Sequence, residues 1–363
     1  MPDRTFDGSA EVPRSDGESP GRLVTLGEVV ADVYRDGEPR GGGMGLVARP
    51  GGAPANAAIA ASRLGSAAAF LGAIGEDLFG DYILETLVRE GVSVRHLSRP
   101  ESRLRTTIAF VEITASGDRS FTFYRTDPAA DESLSPEHIP DEAIAGAGAL
   151  CFGSIPLIRE PSRSAVHHAA RVARGLGVPV ALDVNLRPRL WSSLEEARGQ
   201  IYPLLELCTV VKLSDDELEP LLGTSEPDEA ADELLGLGIP LVLITSGPEG
   251  AMYATSRFRD RVPTFVVDVV DPTGAGDAFF AGTLSRLLER ASEGEPLESK
   301  IHDEALLADA VLRGCAAGAL VCTGHGALSS LPDREKLESF LARRKPAATD
   351  EVSGRGPERG GKR

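Results

Sequence analysis

The segment Asp271-Pro272-Thr273-Gly274-Ala275-Gly276-Asp277 holds the residues of this chain best suited to chemistry. It follows an apolar run, Thr264–Val270, and opens a predicted helix over Ala278–Ala291. Gly274 and Gly276 let the backbone turn tightly and point successive N–H groups outward, and a helix N-terminus adds a positive partial charge. Together these form a cradle for an anion such as phosphate. Asp277 sets a negative charge at the mouth of that cradle. Two explanations stand side by side. The carboxylate caps the helix, or it is a general base that takes a proton from a hydroxyl while the backbone amides hold a transferring phosphoryl group. No GxxxxGK followed by Ser or Thr occurs, so the phosphate is not positioned as in P-loop enzymes.

A second group of residues lies nearer the N-terminus. Gly27-Glu28-Val29-Val30-Ala31-Asp32 brings a carboxylate to the end of a predicted strand, Arg22–Val33. Gly51-Gly52 allows close backbone approach, and Asn56 offers both a donor and an acceptor. Short polar side chains beside glycine-lined backbone suit a ligand with many hydroxyls and no charge. Asn56 taken alone could equally cap a helix. The turn Thr245-Ser246-Gly247-Pro248-Glu249-Gly250 is a glycine turn after a strand, a common feature that carries little weight alone.

The elements that must position these groups alternate along the chain. Ala67–Leu71, Ala149–Phe152, Val178–Asp183, Thr209–Leu213, Pro240–Thr245 and Met252–Ala254 read as strands. Pro54–Leu64, Leu78–Glu90, Ser162–Gly175, Ser193–Leu207, Ser214–Leu222 and Pro227–Leu237 read as helices. This is the pattern of an α/β fold, a doubly wound and mostly parallel sheet with helices on both faces. Thr106–Ile113 and Arg119–Arg125 flank Ala115-Ser116-Gly117-Asp118 and predict a β-hairpin outside that rhythm, an added β-element that can cover a substrate. Residues 1–20 and 344–363 read as disordered tails, leaving one domain over 21–343 with lid elements at about 32–50 and 104–125.

Composition narrows the partners. A net charge of −17 over 363 residues disfavours nucleic acid, which needs a basic face. No apolar run is long enough to span a bilayer, and the polar, acidic N-terminus has no signal-peptide core, so a cytoplasmic protein is expected. The four cysteines lack CxxC spacing and His167 and His168 are adjacent, so structural zinc is not expected.

Asp271–Gly282 resembles the C-terminal signature of the ribokinase/pfkB carbohydrate kinases. Gly51-Gly52-Ala53-Pro54-Ala55-Asn56, running on to Leu64-Gly65 and Gly75–Gly80, resembles their N-terminal signature, and the match spans roughly residues 22–343. The resemblance implies a ribokinase-like fold with a small β-sheet lid, and ATP-dependent phosphorylation of a sugar with Mg2+. It assigns Asp277 as catalytic base and the amides of Gly274, Ala275 and Gly276 as the anion hole. It places Asp32, Gly51, Gly52 and Asn56 on the sugar, and Thr245, Gly247 and Gly250 in the nucleotide loop. Lys212-Leu213-Ser214-Asp215-Asp216-Glu217 matches the family's NxxE motif, with serine where asparagine is commonest; Glu217 would organise the magnesium region through water. Potassium is implied at Asp271, the Thr273 backbone and the Gly326–Ser330 region. Cys315 falls near the adenine, where many relatives carry asparagine.

Phe123-Tyr124-Arg125 with Ala130-Asp131, Gly153-Ser154-Ile155, and Asp183-Val184-Asn185-Leu186-Arg187 with Trp191 resemble fructokinase-like members, which makes Arg125 and Arg187 substrate-side cations and fructose the expected substrate. Kinases of 2-keto-3-deoxygluconate share the last of these patterns, and the two arginines would suit their anionic substrate. A nucleoside kinase and a non-catalytic structural relative are the further alternatives. Lid pairing in relatives implies a homodimer.

Overall fold

The structure, a computed structural model, describes residues 21–37, 43–100, 103–113, 119–289 and 296–343. The expected tails and the Ala115–Asp118 turn lie outside the described residues. Thirteen strands are described: β1 (Leu23–Leu26), β2 (Val30–Arg35), β3 (Leu46–Gly51), β4 (Ala68–Leu71), β5 (Val92–Ser93), β6 (Ile108–Ile113), β7 (Arg119–Tyr124), β8 (Ala149–Gly153), β9 (Val180–Asp183), β10 (Val210–Ser214), β11 (Leu241–Thr245), β12 (Ala251–Ala254) and β13 (Arg259–Val262). Nine of them form one sheet in the order β13-β12-β11-β10-β9-β8-β1-β4-β5, parallel except for the antiparallel β12 and β13. The remaining four form a separate sheet, β3-β2-β6-β7.

Both faces of the large sheet are buried over β1, β4 and β8–β12, which is why these strands are short, mostly apolar runs. Neighbouring residues go to opposite sides. Val210, Leu241 and Leu243 join one apolar cluster, while Val211, Val242 and Ile244 join the other. The first cluster lies under α1 (Ala53–Arg63), α2 (Leu78–Arg89), α8 (Ala275–Glu289), α10 (Glu304–Val321) and α12 (Arg334–Arg343). The second lies under α3 (Asp141–Ile144), α4 (Ser162–Gly175), α5 (Leu194–Leu205), α6 (Asp215–Leu222) and α7 (Pro227–Gly236). Two one-turn helices, α9 (Leu297–Lys300) and α11 (Ala327–Ser330), complete the set.

The predicted single strand Arg22–Val33 is two strands in different sheets. The chain leaves β1 of the large sheet at Gly27 and enters β2 of the small one. Gly27 adopts φ +149, and a Cβ there would meet Pro54 Cγ at 2.7 Å and Pro156 Cγ at 3.1 Å. Only glycine fits this crossing. The predicted hairpin is present as the antiparallel β6–β7 pair, and β3 adds an outer strand antiparallel to β2. Arg49 of β3 fastens the small sheet to the body. Its Nη1 donates to the His325 carbonyl and to Ser329 Oγ at 2.8 Å, and its guanidinium lies 5.6 Å from the centre of the Tyr34 ring.

Candidate active site

Strand order reverses at β1, flanked by β8 on one side and β4 on the other, and the carboxyl ends of the parallel strands open there into a crevice. Asp277 sits at this crevice. Helix α8 begins at Ala275, three residues earlier than expected, because Gly274 at φ +82 turns the chain just before it. Asp277 therefore lies inside the first turn and does not take the capping position ahead of the helix. Its Oδ2 accepts a 2.8 Å hydrogen bond from Asn56 Nδ2 on α1. The protein around Asp277 raises its pKa by burial, while the Asn56 bond and the charges of Lys212 and Arg187 pull it back. The net shift is upward, the direction that suits a base working near neutral pH.

Lys212 lies beneath the glycine turn. A Cβ on Gly276 would sit 3.1 Å from its Nζ, and Nζ donates to Asp183 Oδ1 at 2.9 Å. Burial alone would lower the pKa of this ammonium, but Asp183, Glu217 and Asp277 outweigh it and hold it above the ordinary value. Burial pushes Asp183 up to about 6 against the pull of Lys212, so the pair is ionised at neutral pH. Of the three expected anion-hole amides, that of Ala275 is turned back onto the Pro272 carbonyl at 3.1 Å. The amide of Gly276 lies in the first turn of α8, where a helix leaves its N–H groups without intrahelical acceptors.

Asp271 clasps two loops. Oδ1 accepts from Thr273 N and Oδ2 from Gly326 N, each at 2.8 Å. Thr273 Oγ1 is buried without a hydrogen-bond partner among the described residues, and Ser330 is buried with its hydroxyl against Gly324. Glu217 is buried, and its oxygens accept from Leu186 N at 2.6 Å and Ser214 N at 2.8 Å. It thus steadies the loop after β9, where Asn185 and Arg187 hold the left-handed φ values of 44 and 46. Strained backbone of this kind is kept only where the surroundings enforce it. Thr245 ends β11, and Gly247 and Gly250 follow it in the expected turn, closed by the Ser246 N–H donating to the Gly250 carbonyl at 2.8 Å. Cys315 is interior, its Sγ 3.9 Å from the Val262 carbonyl, and burial pushes its pKa up to about 12.

At the other end of the crevice, Asp32 on β2 packs directly on Gly51, where any Cβ would overlap its Oδ2. Burial, then Asp277 and Asp271, raise Asp32 to about 7. Asn56 Oδ1 is buried with no hydrogen-bond partner among the described residues. Arg125 follows β7 and pairs with Glu132 Oε1 at 3.0 Å. Two buried carboxyls here, Glu28 and Asp183, and the half-buried Asp131 have no role assigned from the sequence. Glu28 and Asp183 lie inside the predicted strands Arg22–Val33 and Val178–Asp183, and Asp131 ends the segment that begins at Phe123; a carboxyl in such a position was the available signal. Among the described residues no three His, Cys, Asp or Glu side chains are arranged to hold a metal.

A carboxylate of raised pKa beside a cationic, glycine-lined helix start, facing a set of short polar groups, is a centre for phosphoryl transfer to a hydroxyl. The model of the pfkB family carbohydrate kinases matches residues 21–334, and this chain belongs to that family. It is 38% identical over 322 residues to probable fructokinase-4 of Arabidopsis thaliana, covering 88% of this chain and 96% of the relative. The fructokinase of Vibrio cholerae O395 in its fructose, ADP and calcium ion bound form superposes with a TM-score of 0.78 at 36% identity, over 89% of this chain and 99% of that one. The fructokinase of Xylella fastidiosa with bound ATP gives 0.80 at 30% identity, over 89% and 98%.

The close approach of Asp32 to Gly51 yields a direct test. Gly51→Ala displaces the Asp32 carboxylate and should raise the KM for the carbohydrate acceptor by ~10-fold, with the KM for nucleotide unchanged. Steady-state kinetics with each substrate varied in turn reads this, and equal effects on both KM values would count against it.

Proposed function

We propose that this chain transfers the γ-phosphoryl group of ATP to the 6-hydroxyl of fructose, giving fructose 6-phosphate. The observation that carries this reading is the Asn56–Asp277 hydrogen bond at 2.8 Å. It couples a sugar-side residue to a carboxylate in the first turn of the helix that forms the anion cradle. The relatives crystallised with fructose and ADP, and with ATP, support the same two substrates.

Asp32, the Gly51-Gly52 backbone and Asn56 orient the sugar, and orientation of this kind supplies much of a kinase's acceleration. Asp277 takes the proton of the attacking hydroxyl as the oxygen–phosphorus bond forms. The Gly274–Gly276 turn, with Lys212 beneath it, receives the charge on the transferring group; the Ala275 amide must leave Pro272 to take part. Thr245, Gly247 and Gly250 border the nucleotide and Cys315 lies behind it. A magnesium ion would neutralise the phosphates, with Glu217 serving it through water. Asp271, the Thr273 carbonyl and the 326–330 loop would hold potassium, and the unpartnered Thr273 Oγ1 fits a further ligand there. The small sheet acts as a lid that excludes water.

A sugar acid suits the site less well. Arg125 is committed to Glu132, and Glu28, Asp32 and Asp131 crowd the same end. The kinase domain occupies 21–343, flanked by the tails 1–20 and 344–363. Among the described residues no helix is long and apolar enough to cross a membrane, and the substrates imply the cytoplasm. A homodimer through the small sheet follows from its exposed apolar side chains, with Leu46 47% and Tyr124 61% accessible.

A coupled ADP-release assay with fructose, ribose, glucose and 2-keto-3-deoxygluconate should show dominant turnover of fructose and a 6-phosphate product. Dominance of the acid would reassign Arg125 and Arg187 to its carboxylate, and no turnover with ATP still bound would favour a non-catalytic relative. Asp277→Asn should lower kcat by at least ~10²-fold with ATP binding intact. Removing the Asn56 bond by Asn56→Ala lets the Asp277 pKa rise further. Because the base must be ionised, the acid limb of the kcat/KM profile should move to higher pH; an unmoved limb would sink the coupling. Light scattering should give twice the 38.2 kDa chain mass, reverting to the single mass in Tyr124→Asp. A monomeric wild type would remove the dimer from the proposal.

A further inference from the structure

Glu28 stands just past β1, at the point where the strand order reverses, and is only 6% exposed. Its carbonyl abuts one of the sugar-side glycines, since a Cβ on Gly52 would lie 2.6 Å from it. Its Oε2 is buried with no hydrogen-bond partner among the described residues. Native proteins leave few buried polar atoms in this state, and such an atom at the edge of a binding site calls for a ligand. The side chain lines a cavity of about 70 Å³ together with Arg125, Asp131, Glu132, Pro156 and Arg159.

The charges facing this cavity are already paired or carry the wrong sign for an anion. Arg125 and Arg159 lie 3.0 and 3.6 Å from Glu132 Oε1, and Arg159 also binds Asp127. Asp131 is held by Thr107 Oγ1, which donates to it at 2.6 Å. Burial raises the Glu28 pKa to about 8, with Asp131 and Asp277 adding to the shift and the backbone amides of Glu28 and Ala53 opposing it. At neutral pH the group keeps its proton and can both donate and accept.

We infer that Glu28 is a specificity-determining residue of the acceptor site, binding a hydroxyl of the sugar through its unpartnered Oε2. The inference rests on the fructose-kinase reading above. A neutral carboxyl has a near-isosteric substitute in a carboxamide, so glutamine should replace it and alanine should not.

The experiment measures fructose kinetics for the wild type, Glu28→Gln and Glu28→Ala, each confirmed folded by its thermal transition. It then repeats them with fructose analogues lacking one hydroxyl at a time. Glu28→Ala should raise the fructose KM by ~10-fold or more while kcat and the KM for ATP change less than threefold. Glu28→Gln should stay within threefold of wild type throughout. For one deoxy analogue, the one missing the contacted hydroxyl, wild type and Glu28→Ala should have the same KM; a structural role would weaken all analogues alike. If Glu28→Ala fails to fold, Glu28→Gln still decides, because a tenfold rise in its KM would overturn the inference. An unchanged KM in Glu28→Ala overturns it while leaving the fructose reading intact. No fructose turnover by the wild type overturns that reading itself.

Discussion

The bond between Asn56 and Asp277 joins two residues 221 positions apart, and the working geometry of the protein depends on it. Asn56 rides on α1, which opens directly after Gly51 and Gly52. Asp277 rides on the first turn of α8, directly after Gly274 and Gly276. The buried surface of α1 is made mostly of alanines, Ala55, Ala58 and Ala61 among them fully buried, with Ile59 as the one large apolar side chain. Side chains this small bring helices close together, so the separation between Asn56 and Asp277 is set by helix packing and not by loops. Sites built on such rigid elements hold their geometry more closely than sites built on loops.

Electrostatics follow from that packing. Glu28, Asp32, Asp131, Asp183 and Asp277 gather in one region, and each has its pKa raised with burial as the first cause. Lys212 is the buried ammonium among them, and Asp183 holds it in place. Arg187 is exposed at the rim, and Arg125 is engaged with Glu132. Glu28, Asp32 and Asp131 lie toward the Gly51–Gly52 end of the crevice, while Asp183, Asp277 and the Lys212 ammonium lie by the Gly274–Gly276 turn. The overall charge of −17 says nothing of this local pattern, since fields from distant surface groups are screened within a Debye length.

Much of this was legible in the chain. Six strands of the large sheet, β4 and β8–β12, were visible as short apolar runs, whereas β5 and the polar edge strand β13 (Arg259–Val262) were not, and α4 fell on its predicted bounds of Ser162–Gly175. The glycine motifs marked both ends of the crevice. The departures have physical causes. Arg22–Val33 read as one strand because an apolar run carries no sign of a change of sheet, and the switch at Gly27 depends on Pro54 and Pro156. Helix α10 went unassigned because it is apolar on nearly every side, which removes the 3.6-residue periodicity that reveals amphipathic helices. Lys212 and Glu217 were marked from their motif, but their partners, Asp183 and the Leu186 amide, come from another strand and another loop. Burial of this kind is a property of tertiary contact, and no local spacing encodes it.

Arg49 leaves a mark of a different kind. Its guanidinium joins β3 to the His325 carbonyl and the Ser329 hydroxyl, and Gly326, within that same loop, donates to Asp271 beside the cradle. Residues that share one hydrogen-bond network do not contribute independently to stability. Positions 49 and 329, whose side chains meet on the backbone carbonyl of residue 325, therefore form a single epistatic unit. A substitution at one changes which residues are tolerated at the other, and descendants of this sequence should be seen to exchange them in concert.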